Sequence, residues 1–252
     1  MTGYPGARLS TWLERRRYRT YSRVAGANYD RRLLATPQRT PGGWVRTYDL
    51  YNRHGRQEML QALCARCGPS DTVYDVGASV GVYALAVASG GAGRRVRAYE
   101  PAPDTVERLR ANLGANACGD RVEVRPVGLG ADSGKRQFYV STYPELSGFD
   151  RESATRWGAA VATTHTAPIR RLDDEVEAGP VPDLLKVDVE GAGADVLRGG
   201  RELLRTARPP VFVEVHEQGL SGDRSEAIRR VLRAADYVVD EHATYWQCEP
   251  RA

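Results

Sequence analysis

From residue 71 onward the chain predicts an α/β fold, a seven-stranded and mostly parallel sheet flanked by helices, with a helical extension before it. Three observations carry this prediction. Short runs rich in β-branched and aromatic residues recur at 72–76, 95–99, 122–127, 182–191 and 211–215. Stretches with apolar residues at helical spacing separate them, as in βαβ units. The first of these strands runs through glycines into an apolar helix, a unit that builds a ligand site at the carboxyl edge of a parallel sheet.

The elements follow in order. Met59, Leu60, Leu63 and Cys64 mark a helix over 57–67 that packs beside the first strand. Val73, Tyr74 and Val76 suit a buried central strand. Gly77 opens the turn, Ser79 caps the next helix, and the apolar run 82–88 fills it. A second strand at 95–99 ends in Glu100-Pro101, and Asp104 caps a helix with Val106, Leu109 and Leu113 on one face. After the third strand, 137–141 reads as an additional extended segment and the polar stretch to 166 as a loop or short helix. A helix over 194–204, a strand ending at His216, a helix around Ile228, Val231 and Leu232, and an antiparallel pair at 237–239 and 244–247 complete the chain.

Bulk properties narrow the class. The chain has 252 residues, 41% hydrophobic and 27% charged, enough for one sizeable core. No apolar run is long enough to span a bilayer and no leader opens the sequence, so a cytoplasmic location is expected. Cys64 and Cys67 form a C-x-x-C without a second pair or a histidine cluster, and Cys118 and Cys248 stand alone; no metal is assigned to them. Residues 1–55 read as a basic extension or cap and 56–252 as the main domain. The first 60 residues hold twelve arginines against four acids, net +8, interleaved with Trp12, Tyr18 and Tyr21. A solvated arm explains this; contact with an anionic membrane or with nucleic acid is the sharper alternative.

The chemistry lies at three strand ends. Asp75-x-Gly77-x-x-x-Gly81 lacks the middle glycine of a dinucleotide fingerprint and places an acid where a pyrophosphate would sit. An acid there repels an anion and favours a ligand with an ammonium and a sulfonium. Glu100, 25 residues later, stands where a carboxylate can take both ribose hydroxyls. Lys186, Asp188 and Glu190 alternate along one strand face, a costly gathering of charge unless the groups pair or serve a ligand.

Residues 73–83, 99–101, 172–173, 183–191 with 196–199, and 210–217 together resemble the FkbM-type branch of the class I S-adenosylmethionine-dependent methyltransferases. Leu185-Lys186-Val187-Asp188-Val189-Glu190-Gly191 is the most specific part. Ser79-Val80 replaces the usual Asn-Ile, and Gly193 stands where a glutamate is common. The resemblance implies a Rossmann-like sheet, S-adenosylmethionine as cofactor, and methyl transfer to a hydroxyl of a sugar, glycolipid or secondary metabolite. It places the cofactor against Asp75, Gly77, Ala78, Ser79, Gly81, Glu100, Pro101, Gly128 and Asp188. Candidates for a base are Asp188, Glu190 and His216; these three could instead hold a divalent metal, which nothing in their spacing requires. His165 lies in the segment that could cover the acceptor, whereas His54 and His242 are peripheral.

Two rival functions are weighed against this one. A nucleic-acid methyltransferase would use the arginine-rich arm, but the Asp/Asn-Pro-Pro-aromatic signature of base-amine methylation is missing at the fourth strand. A non-catalytic S-adenosylmethionine-binding module would keep the fold without transfer.

Overall fold

The computed structural model describes residues 12–51, 57–215 and 224–251. Helix α1 (Trp12–Arg31) leads into a hairpin of β1 (Thr36–Thr40) and β2 (Gly43–Thr47). The main body opens with α2 (Glu58–Arg66), β3 (Thr72–Val76), α3 (Val82–Ser89), β4 (Arg95–Tyr99), α4 (Pro103–Gly114) and β5 (Val122–Arg125). An inserted segment contains β6 (Gly128–Leu129), β7 (Gly134–Ser141), α5 (Arg151–Ala154) and β8 (Val161–Arg170). The second half runs α6 (Leu172–Glu177), β9 (Leu184–Val187), α7 (Gly193–Arg198), α8 (Arg201–Thr206), β10 (Val211–Glu214), α9 (Arg224–Ala234), β11 (Tyr237–Glu241) and β12 (Tyr245–Pro250).

The main sheet has the order β11-β12-β10-β9-β3-β4-β5. Its four inner pairings from β10 to β5 are all parallel, and β12 runs antiparallel to both neighbours. Strand order reverses at β3, so β3, β4 and β9 present their carboxyl ends around one crevice. Period-two alternation divides the core. Val73 and Leu184 face α3, while Tyr74, Val76, Leu185 and Val187 face the opposite layer. Asp75 and Lys186 therefore share the α3 face, and they are direct neighbours in the β3–β9 register.

Several local expectations change. Ser79 does not cap α3: the N-cap is Gly81, in the left-handed region. Asp104 lies inside the first turn of α4, where its charge suits the helix dipole, while Ala102 is the N-cap and Pro103 opens the helix. The strand expected to carry Glu190 ends at Val187, so Glu190 belongs to the following turn and not to one face with Lys186. The single helix expected over 194–204 is split at Gly199-Gly200. The stretch before 166 is neither loop nor short helix throughout, since β8 pairs along its length with β7.

The extension is more than helical. The inner hairpin face carries Val45 and Thr47 into the body, and a Cβ on Gly42 would lie 1.7 Å from the Ala86 carbonyl oxygen. Asn112 of α4, fully buried, donates to the Tyr29 hydroxyl (2.9 Å) and to the Val80 carbonyl (2.8 Å), and accepts from the Tyr48 N–H (2.9 Å). One amide thus ties α1, the hairpin, α4 and the glycine loop together. Each bond matters because a buried polar group left unpaired costs about 1–3 kcal/mol.

Candidate functional site

The glycine loop is held in a backbone form that ordinary residues resist. Gly77, Ser79 and Gly81 have φ of +76°, +50° and +87°. At Gly77 a Cβ would meet the Asp188 carbonyl oxygen at 1.9 Å, so the residue is needed for close approach as well as for its turn. The N–H groups of Gly77 and Ala78 both donate to the Tyr99 carbonyl at 3.0 Å, which locks the loop to the end of β4.

Glu100 is bound into the same structure. Its Oε2 accepts from the Ser79 N–H at 3.0 Å and its Oε1 from the Ala102 N–H at 2.9 Å. Burial raises its pKa to about 7, against the opposing pull of those two N–H groups and of Lys186. A carboxylate has about four lone-pair sites. The two backbone bonds leave one acceptor site on each oxygen.

Beneath the loop, Lys186 Nζ lies 2.9 Å from Asp75 Oδ1 and 3.6 Å from Asp188 Oδ2. It donates to the Gly77 carbonyl at 2.8 Å and sits 4.9 Å from the Tyr83 ring centre. Burial, the largest effect, opposes its charge; Asp75, Asp188 and Glu100 nevertheless hold its pKa above the ordinary lysine value. The ammonium is therefore charged. Asp75 is 1% exposed, and neither of its oxygens accepts a hydrogen bond of good geometry from the described residues.

These elements border a cavity of about 470 Å³. Gly77, Ser79, Glu100, Pro101, Gly128, Asp188 and Glu190 lie on its wall. Asp75, Ala78 and Gly81 do not: Asp75 sits behind the loop as the partner of Lys186, and the other two shape the turn. Phe149 packs over Gly128, where a Cβ would lie 2.3 Å from the ring. Tyr21, Ala25 and Tyr29 of α1 supply another part of the wall. Glu190 is ion-paired with the buried Arg156. His216 and His54 lie outside the described residues. His165 of β8 lies tilted against the ring of Phe138 in β7, and His242 stacks on Tyr245 beside Asp240.

Arg156, Tyr29 and Asn112 are site supports that sequence reasoning missed. Arg156 lies in a polar stretch with no periodic signal. Asn112 did carry one, a polar residue three positions after Leu109 on the apolar face of α4.

Among the described residues no group of three or more His, Cys, Asp or Glu side chains is placed to hold a metal ion. Cys64 and Cys67 are buried thiols whose pKa is pushed up to about 11 by that burial.

The residues fit an adenosyl sulfonium ligand. Glu100 retains one acceptor site on each oxygen, the loop lies against it, and the carboxylates of Asp75 and Asp188 outnumber the one ammonium between them. A sheet of this order with an acid after its second parallel strand defines the class I methyltransferase fold. Residues 75–239 match the methyltransferase FkbM domain, and the chain belongs to that family.

The chain is 31% identical over 164 residues to the hexuronic acid methyltransferase AglP of Haloferax volcanii, covering 64% of this chain and 63% of that protein. It is 29% identical over 177 residues to the 31-O-demethyl-FK506 methyltransferase FkbM of Streptomyces tacrolimicus, covering 59% and 66%. It thus spans less than two-thirds of the length of these curated relatives. The crystal structure of a methyltransferase FkbM from Methylobacillus flagellatus has the same fold, with a TM-score of 0.52 and 17% identity over 88% of this chain and 50% of that one. Among the described residues no helix is long and apolar enough to cross a membrane.

Proposed function

We propose that the protein transfers a methyl group from S-adenosylmethionine to an oxygen acceptor, a hydroxyl of a sugar, glycolipid or secondary metabolite, with a cytoplasmic location. The names of the two relatives, one for a hexuronic acid and one for a 31-O-demethyl compound, support that acceptor class. The carrying observation is Glu100, whose two oxygens are aimed by the Ser79 and Ala102 N–H groups with one acceptor site left on each.

In this reading Glu100 holds the ribose, Pro101 and Gly128 border the base, and Gly77 and Ser79 bring backbone against the methionine portion. The bound cofactor supplies an electrophilic methyl on a sulfonium. Asp75 acts from behind the loop by fixing Lys186, which in turn holds the Gly77 carbonyl and the Asp188 carboxylate. Methyl transfer is an in-line displacement, so alignment of the acceptor oxygen carries most of the acceleration. Asp188, Glu190 and His216 are the groups proposed to orient the acceptor or receive its proton. Both described ones are ion-paired, Asp188 with Lys186 and Glu190 with Arg156, and Asp188 is the more exposed, its side chain 30% against 12%. Residues 1–55 serve as a cap on a methyltransferase domain of 56–252.

The test is transfer of labelled methyl from S-adenosylmethionine into an extract of the source cells, followed by identification of the product. Labelled methyl ethers are expected. Label confined to RNA or DNA would favour the nucleic-acid rival, and tight cofactor binding with no labelled product would favour the non-catalytic module.

A further inference from the structure

The hairpin that closes the N-terminal unit has two unlike faces. Gln38, Thr40, Val45 and Thr47 point inward and are buried. Pro37, Arg39, Trp44 and Arg46 point outward and are exposed, with Arg39 opposite Trp44 and Pro37 opposite Arg46 in the register. Trp44 is 70% exposed, and at the corner between α1 and β1 Leu33 and Leu34 are 69% and 60% exposed. From residue 31 to residue 48 there are four arginines and no acid.

Among the described residues nothing covers Trp44, Leu33 or Leu34. Gly42 is clamped against Ala86. The corner is fixed by Asn28, whose side chain donates to the Leu34 and Tyr48 carbonyls and accepts from the Leu34 N–H. The leucines and the indole are therefore presented outward on a rigid support. Trp44 near the hairpin turn and the leucine pair at its opposite end are thus two exposed apolar points on one arginine-rich unit, and large exposed apolar side chains of this kind mark an interaction site. Their mixture with arginine decides the partner. Guanidinium groups match phosphate on lipid or nucleic acid alike, but two adjacent leucines have no counterpart on a phosphate backbone, whereas an indole and aliphatic chains enter the headgroup boundary of a bilayer.

We propose that the outer face of the β1–β2 hairpin, with Leu33 and Leu34, docks on an anionic lipid bilayer. Trp44 and the leucines insert at the headgroup level, and Arg39 and Arg46 meet the lipid phosphates. Tyr21, Ala25 and Tyr29 of the adjoining helix line the cavity, so the docking unit and the cavity wall share one element. The docking does not depend on the methyl-transfer reading.

The experiment is co-sedimentation of the full chain with vesicles of phosphatidylcholine, with and without one-third phosphatidylglycerol. Binding to the anionic vesicles alone is expected, weakening as salt is raised. Leu33→Ser with Leu34→Ser, and Trp44→Ser separately, should each reduce it, and Arg39→Gln with Arg46→Gln should reduce it about fivefold per charge removed. Each variant should keep the wild-type unfolding midpoint and S-adenosylmethionine affinity, which separates lost docking from lost folding. Absence of vesicle binding, equal binding to neutral vesicles, binding that ignores all three variants, or salt-dependent capture of RNA in place of vesicles would each overturn the proposal.

Discussion

Asp75 and Lys186 stand side by side across β3 and β9, with Nζ 2.9 Å from Oδ1 and each residue only 1% exposed. The pair links the two strand ends that bear the glycine loop and Asp188. Its ammonium also reaches the Gly77 carbonyl, so charge balance and loop position depend on one side chain.

Lys186→Met should therefore be severe. It removes the ammonium and leaves Asp75 buried without its counterion, which costs about 3–5 kcal/mol. Urea unfolding should record that loss, together with weakened cofactor binding. A loss below about 1 kcal/mol would mean that the pair is not a structural centre of the site.

Glu100 predicts two opposite pH trends. Its folded pKa, about 7, is raised above the ordinary 4.5 by burial. Its contribution to the ligand-free protein's stability is fully present below 4.5 and is lost as pH rises through 7. Ribose binding uses the carboxylate, so cofactor affinity should increase over the same rise and fall up to about tenfold for each pH unit below 7. Calorimetric titrations from pH 5 to 8 with wild type and Glu100→Gln check both, since the variant should flatten each profile.

Ser79 occupies a left-handed position with a side chain that gains little there. Asparagine tolerates that conformation better. Ser79→Asn should raise stability by roughly 0.5–1 kcal/mol in thermal unfolding, with the Ser79 N–H still able to reach Glu100. Destabilisation would show that the side chain, not the backbone, sets this position.

Asn112 tests whether the N-terminal unit supports the glycine loop. Asn112→Ala leaves the Tyr48 N–H and the Val80 carbonyl without their buried partner and should cost about 2–4 kcal/mol. Because Val80 belongs to the loop, the dissociation constant for S-adenosylmethionine should rise as well. An unchanged constant in a less stable protein would confine Asn112 to folding.

The sheet was legible because its strands are short, apolar and separated by amphipathic helices; 72–76 and 95–99 were predicted to the residue. Other elements obey non-local causes. β8 contains four polar residues in succession from Thr163 to Thr166, followed by Pro168, and becomes a strand by pairing with β7. The β1–β2 hairpin was hidden by its arginines, which occupy the outer face while only alternate residues are buried. In the site, spacing located Gly77, Glu100 and Asp188 on the cavity wall. It could not show that Asp75 turns behind the loop, or that Glu190 leaves the strand to meet Arg156, because both depend on where β3 and β9 stop relative to the turns that follow.

The central claim is that Glu100, aimed by Ser79 and Ala102, holds the ribose of S-adenosylmethionine. Isothermal titration of the wild-type chain and of Glu100→Ala tests it most directly. The wild type should bind S-adenosylmethionine with one site per chain, and the variant, still folded by circular dichroism, should lose at least about tenfold in affinity, as expected when a charged hydrogen-bonding partner is removed. Undiminished binding by Glu100→Ala, or no binding by the wild type, would contradict it.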